Sequence, residues 1–232
     1  MNAEREKQIL EILLKEKRAT VKQLAKALFI SEPSVRRDLA SLENQKLIKR
    51  THGGAVLEET ALSKNKIPFL LREYEQSDAK LRIAGKAIEF VKDNDVVFLD
   101  ASTSCYYLIP LLATRHNLTV ITNGVKALSK LAEYDIQTFS TGGALVGSCL
   151  VLVGEEACRA IDSFHADVAF FSCRGVSDDG YLTDIAREEN IVRKHMIENA
   201  KASYLLCATE KLGKCYYHKL CHKSQLTGII HE

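Results

Sequence analysis

Five short segments of the chain carry side chains suited to holding a charged, hydroxylated ligand. They are Asp100-Ala101-Ser102-Thr103-Ser104, Thr122-Asn123-Gly124, Ser140-Thr141-Gly142-Gly143, Ser172-Cys173-Arg174-Gly175 and Ala208-Thr209-Glu210-Lys211. Hydroxyls, amides and glycines dominate them, and Arg174 and Lys211 are cations. Ser102, Thr103 and Ser104 precede a helical pattern, whose first free amides would cradle an anion. Gly142 and Gly143 would let the backbone approach a ligand closely. The set points to a phosphorylated, polyhydroxylated molecule.

A second group of residues is basic. Ser34-Val35-Arg36-Arg37 opens an amphipathic stretch, and Lys49, Arg50 and His52 sit beside the pair Gly53-Gly54. Arginine reaches phosphates or guanine edges, a serine hydroxyl reaches either, and a glycine turn can lie close to a phosphate backbone or minor groove. Cys215, His218, Cys221 and His222 are zinc-ligand types. Four ligands within eight residues leave little room for the loop of a structural site, so no metal is expected there.

These residues need elements to position them. Ile9, Leu10, Leu13 and Leu14 are spaced as one helix face, and Thr20 caps a second helix with Val21, Leu24, Ala25 and Leu28 inward. After Phe29-Ile30, Ser31 and Pro33 start a third helix that turns Val35, Leu39 and Leu42 inward and Arg37, Ala40, Ser41 and Asn44 outward. Residues 47–57 read as strand, glycine turn, strand. Together these form a winged helix-turn-helix, expected over 1–57. Asp38, near the buried edge of the third helix, is expected to pair with an arginine or a helix end, since phosphates repel a carboxylate.

Residues 58–68 are polar, end in Pro68 and read as a linker. From 69 to 232 a helix is followed by alternating β-rich and helical runs. The strands fall at 96–99, 118–121, 136–139, 168–171 and 204–207, with a last one near 229–230; the helices fall at 103–113, 124–133, 154–164 and 186–200. This alternation predicts an α/β domain with an open, mostly parallel sheet. Each of the five polar segments then lies at the carboxyl end of a strand, where such sheets bind ligands.

Composition agrees with a folded protein. The chain has 232 residues, 46% hydrophobic and 27% charged, and no apolar run near the ~18 residues a membrane helix needs. Its first ten residues lack the apolar core of a secretory signal. Seven cysteines without a CxxC pair suit a reducing cytoplasm rather than a disulfide framework. The net charge of +2 conceals an asymmetry, because residues 1–57 carry 12 Lys/Arg against 7 Asp/Glu. A basic head on a mildly acidic body suits a polyanionic partner for the head.

Arg5, Ile9 and Leu13, then Ser34-Val35-Arg36-Arg37-Asp38-Leu39, then Arg50-Thr51-His52-Gly53-Gly54-Ala55 resemble the DeoR family of bacterial transcriptional regulators. Ser34 stands where that family usually has Thr. The resemblance continues through Asp100, Thr122-Asn123, Gly142-Gly143, Gly154, Asp167, Gly175, Gly180-Tyr181-Leu182-Thr183-Asp184, Glu189 and Lys211. It implies a larger domain similar in fold to ribose-5-phosphate isomerase and CoA-transferase subunits, sensing a sugar phosphate. By that resemblance Ser102, Thr103 and Ser104 hold the phosphate, Asp100, Asn123 and Glu189 meet sugar hydroxyls, and Lys211 neutralises the anion. Ala208 replaces an acidic residue usual in the family, and Glu232 falls short of the family's usual final strand and helix.

The expected protein is therefore a cytoplasmic, homo-oligomeric regulator of sugar-metabolism genes, a repressor that binds operator DNA and needs no cofactor and no catalysis. Its DNA-binding residues are Ser34, Arg36, Arg37, Ser41, Lys49, Arg50, His52 and Gly53. Two alternatives stay open: a sugar-phosphate-converting enzyme with a DNA-binding head, and a regulator responding through thiols such as Cys105 or Cys173.

Overall fold

The computed structural model describes residues 3–45, 47–57, 69–147 and 149–232, so the expected linker at 58–68 lies outside the described residues. The chain forms two compact units, Met1–Glu75 and Gln76–Glu232.

The first unit contains α1 (Ala3–Glu16), β1 (Arg18–Thr20), α2 (Val21–Leu28), α3 (Glu32–Asn44), β2 (Ile48–Thr51), β3 (Gly54–Leu57) and α4 (Phe69–Tyr74). Its core joins Ile9, Leu10 and Leu13 to Val21, Leu24, Val35, Leu39 and Leu42, the residues whose helical spacing marked them as inward. Thr20 caps α2 by accepting from the Gln23 amide at 3.1 Å, while Gln23 Oε1 accepts from the Thr20 amide at 2.8 Å. Ser31 occupies the corresponding place before α3, but its hydroxyl meets Ser34 Oγ at 2.9 Å instead of a helix amide. Asp38 is buried and takes a two-pronged contact from Arg5, Nε to Oδ2 at 2.5 Å and Nη2 to Oδ1 at 2.7 Å. This is the structural arginine partner that its position on α3 required.

The wing is stitched to the helices by a strand that sequence reading did not anticipate. β1 pairs with β3, which pairs with β2, giving the order β1-β3-β2. Gly54 is needed for this close approach, since a Cβ there would lie 2.3 Å from the Ala19 carbonyl oxygen. The sequence reading placed residues from 69 onward in the larger domain. Instead, Leu71 of α4 is fully buried in the core of the first unit.

The second unit contains α5 (Ser77–Ala87), β4 (Val96–Leu99), α6 (Thr103–Leu112), β5 (Thr119–Thr122), α7 (Val125–Glu133), β6 (Gln137–Ser140), β7 (Ala144–Val146), β8 (Val151–Val153) and α8 (Glu155–Asp162). It continues through β9 (Ala166–Phe171), β10 (Gly175–Val176), β11 (Tyr181–Asp184), α9 (Arg187–Glu198), β12 (Ala200–Leu206), β13 (His218–His222) and β14 (Gly228–Ile230). The six expected strands form one six-stranded sheet ordered β14-β12-β9-β4-β5-β6, parallel at every pairing. Phe98, Phe170 and Phe171 are fully buried within it. Around it stand two antiparallel additions, a β7-β8 hairpin and a small sheet ordered β10-β11-β13.

Parallel register fixes the ligand edge. Leu99 pairs with Thr122 and Phe170, Thr122 with Ser140, and Leu205 with Phe171. The loops that follow these residues therefore leave the sheet along one edge, as open α/β sheets require of a binding site.

Replacing Gly54 with Ala should cost about 1–3 kcal/mol, because the added methyl must displace backbone rather than a flexible side chain. A lowered urea midpoint for unfolding of the first unit checks this; an unchanged midpoint would show that β1 and β3 need no such closeness.

Candidate functional site

On the first unit, α3 presents Arg36 and Arg37 to solvent, and Ser34 and Ser41 are half-buried beside them. Arg37 Nη2 donates to Ser34 Oγ at 3.3 Å, and Arg36 Nη2 lies 3.4 Å from Glu32 on the same helix. Such exposed pairs are weak and readily exchanged for phosphate oxygens. Lys49, Arg50, His52 and Gly53 are exposed on the wing. The Arg50 amide donates to Glu43 Oε1 at 2.9 Å, anchoring the wing to the end of α3. Gly53, at φ +84°, supplies the left-handed turn between β2 and β3.

On the second unit, the loops of the sheet edge converge on a residue that sequence reading missed. Arg193 of α9 is 4% exposed, and its guanidinium is bound on every side. Nε donates to Asp100 Oδ2 at 2.8 Å, Nη1 to Asp184 Oδ2 at 2.9 Å and Asn190 Oδ1 at 3.1 Å, and Nη2 to Glu189 Oε2 at 2.8 Å. Burial opposes both charges of the Arg193–Asp100 pair. The carboxylates nevertheless hold the guanidinium above its ordinary pKa, and Arg193 with the Ser102 hydrogen bonds holds Asp100 below its ordinary value.

This changes the part assigned to two expected ligand residues. Asp100 accepts from the Ser102 amide at 2.8 Å and the Ser172 amide at 3.4 Å as well as from Arg193, so its carboxylate ties these loops together. Glu189 also spends one oxygen on Arg193. The only hint in sequence was Glu189 lying one helical turn before Arg193, a spacing shared by many solvent-exposed pairs.

The other expected residues lie around this cluster. Ser102 caps α6 and accepts from the Cys105 amide at 3.3 Å, while Thr103 and Ser104 are buried in its first turn. Lys211 Nζ donates to Ser172 Oγ at 2.8 Å, and Arg174 Nε lies 3.9 Å from Asp184 Oδ1. Asn123 is 2% exposed; its Nδ2 donates to the Leu152 carbonyl at 3.1 Å, and its Oδ1 has no hydrogen-bond partner among the described residues. Gly142 and Gly143 have φ of +63° and +102°. At Gly143 the close neighbour is protein, since a Cβ would lie 2.5 Å from the Val153 carbonyl oxygen. A further loop contact was not anticipated: the Glu232 carboxylate accepts from the Thr209 amide at 3.1 Å, beside the turn that carries Lys211.

The two thiols nearest the site are poorly placed for redox chemistry. Cys105 and Cys173 are buried, and burial pushes the first well above the ordinary thiol range and the second up to about 12. Among the described residues no three His, Cys, Asp or Glu side chains come together as a metal-binding group, and no helix is long and apolar enough to cross a membrane.

Arg193→Met should destabilise the second unit by about 3–5 kcal/mol, because it strands buried carboxylates without a partner. The change also has a pH signature. The native Asp100 pKa lies below the ordinary 3.8, so its contribution is present above pH ~4 and disappears as pH falls through the native value. Without Arg193, burial dominates and raises that pKa, so acid unfolding followed by circular dichroism should begin at higher pH than in the unaltered chain. Coincident acid transitions would refute this role for the cluster.

Comparison with known proteins follows the same division. The family described as "DeoR C terminal sensor domain" matches residues 75–232, and that described as "DeoR-like helix-turn-helix domain" matches residues 5–61. The transcriptional regulator YulB of Bacillus subtilis is 31% identical over 98% of this chain and 88% of its own. The transcriptional repressor GlcR of the same organism is 30% identical over 96% and 85%, and the L-fucose operon activator of Escherichia coli is 29% identical over 100% and 96%. A solved translation initiation factor eIF-2B from Pyrococcus horikoshii shares the fold at TM-score 0.52 and 16% identity, covering 99% of this chain and 88% of that one. A ribose-5-phosphate isomerase from Methanocaldococcus jannaschii aligns over 59% of this chain and 54% of its own at TM-score 0.45 and 20% identity. With a helix-turn-helix head, a sensor unit and full-length relatives that regulate transcription, the chain belongs to the DeoR family of transcriptional regulators.

Proposed function

We propose that this regulator is a cytoplasmic repressor of sugar-metabolism genes, whose head binds operator DNA and whose sensor unit binds a sugar phosphate that releases it. The observation that carries the effector reading is the meeting of two chemistries at one sheet edge. Lys211 and the first amides of α6 offer an anion-binding pole, and Asn123 Oδ1 is a buried acceptor lacking a donor among the described residues. A phosphate answers the first and a sugar hydroxyl the second. A relative named as an L-fucose operon activator supports sugar-linked regulation, and another named as the repressor GlcR supports the sign chosen here.

Ser102, Thr103, Ser104, Arg174 and Lys211 are assigned to the anion and Asn123 to the sugar, with Asp100 and Glu189 acting through Arg193. That the carboxylates are engaged by Arg193 supports sensing over turnover, since a general base must be free to take a proton. Ser34, Arg36, Arg37, Ser41, Lys49, Arg50, His52 and Gly53 are assigned to DNA. Oligomerisation joins two heads on paired half-sites, and the effector acts by favouring one arrangement of head and sensor.

Fluorescence anisotropy on DNA from the upstream region of the gene, at fixed salt and with a panel of sugar phosphates, tests this reading. Specific binding reversed by one sugar phosphate is expected; binding that ignores every member of the panel would refute the effector assignment. Arg37→Ala should weaken DNA binding and reduce the salt slope by about one. Lys211→Ala should bind the same DNA normally yet fail to be released. Equal damage to both activities by both substitutions would contradict the assignment of separate tasks to the two units.

A further inference from the structure

Phe29 joins α2 to α3 with its ring left almost wholly in solvent. It is 94% exposed, more than any other large apolar side chain among the described residues. Its backbone is left-handed, with φ 54° and ψ 41°, a conformation that disfavours residues bearing a Cβ and that helix ends usually assign to Gly or Asn. The turn itself is well held without the ring. The Phe29 amide donates to the Ala25 carbonyl, the Ile30 amide reaches the same oxygen at 3.1 Å, and Ile30 packs against the core of the head. The ring is thus presented outward at a position where both solvent and backbone oppose it.

Its surroundings indicate what receives it. Lys22 and Lys26 are exposed one turn apart on α2, and Phe29 follows at the end of that helix. Ser31, Ser34 and Arg37 come next, on the opening turns of α3. In a helix-turn-helix the first helix crosses the phosphate backbone while the N-terminal residues of the second reach base edges, so the joining turn faces the groove wall. A duplex presents alternating chemistry at that point: charged phosphates, and between them the apolar faces of deoxyribose and thymine methyl groups.

We propose that Phe29 is a DNA-contacting residue of the head, packing its ring on deoxyribose or a thymine methyl while Lys22 and Lys26 take the flanking phosphates. The inference rests on the DNA-binding reading and adds an apolar contact to a surface otherwise described by hydroxyls and cations. An apolar contact releases no counterions, whereas each phosphate contact does, so the two kinds of residue leave different marks on salt dependence.

The experiment uses the full chain and the duplex it enriches from a randomised library. Phe29→Gly and Phe29→Asn should lower affinity about tenfold, leave the slope of affinity against salt unchanged, and raise the melting temperature by relieving the left-handed backbone. Phe29→Tyr should keep the affinity. Lys22→Ala and Lys26→Ala should each reduce the salt slope by about one. Unchanged affinity in Phe29→Gly and Phe29→Asn would overturn the proposal. So would a shift in oligomeric mass by sedimentation with DNA affinity intact, which would assign the ring to a second copy of the chain. Failure of the unaltered chain to enrich any duplex would overturn the DNA-binding reading, and the proposal with it.

Discussion

A guanidinium taken out of water must find acceptors for nearly all of its N–H groups, or the fold that buries it is lost. Arg193 finds them on four residues drawn from three places: Asp100 after β4, Asp184 at the end of β11, and Glu189 and Asn190 on α9. The parallel sheet, the small antiparallel sheet and the helix over them are thereby tied at one charged point. Asp100 extends the tie by accepting from the Ser102 and Ser172 amides. Ser172 Oγ in turn donates to the Leu206 carbonyl at 2.6 Å and accepts from Lys211. Three of the five polar loops, at 100–104, 172–175 and 208–211, are thereby tied to one another, and loops shaped in advance lower the entropy that binding a ligand must overcome.

The charges around that point are balanced. Asp100, Asp184 and Glu189 face Arg193, with Arg174 and Lys211 at the margin. One guanidinium offsets one of the three carboxylates, and Arg174, 3.9 Å from Asp184, and Lys211, which donates to Ser172, bring the group to neutrality. Head and sensor use arginine in opposite ways. On α3 the guanidinium groups stay in water, where exchanging a weak intramolecular partner for a phosphate costs little. On α9 the guanidinium is structural, and exchanging its partners would dismantle the unit.

The parts of the fold legible in the sequence are those whose burial has a simple period. All six strands of the parallel sheet were visible as short β-rich runs; the inner strands β4, β5 and β9 read so because strands covered on both faces are largely apolar, whereas the edge strand β6 is mostly exposed. The head was visible because three helices repeat Leu, Ile and Val at helical spacing, and Asp38 was correctly read as structural from its place beside the buried stripe. What escaped notice was short, polar or long-range. β1 is three residues with one inward side chain, and β13 (His218–His222) reads in sequence as a ligand cluster. Arg193 lies among charged neighbours on α9, and the partner that makes it an interior residue is 93 positions away. No local pattern can report such a pairing. Asp100 shows the same limit: its residue type and its loop are plain in the sequence, while its partner Arg193 is out of view.

The separation of Asp100 from Arg193 also orders events in time. A chain emerging from the ribosome completes its head within about the first third of its length, from contacts that are mostly local and therefore quick to form. The central strand β4 appears next, but its terminal carboxylate has no counter-charge until α9 is made. β9, β12 and β14 then extend the sheet from one side of β4 while β5 and β6 already stand on the other. Growth outward from a strand made early, tied by a residue made late, leaves the Asp100 carboxylate without that counter-charge through much of synthesis. A nascent chain therefore holds a finished reader of DNA well before it holds a finished sensor.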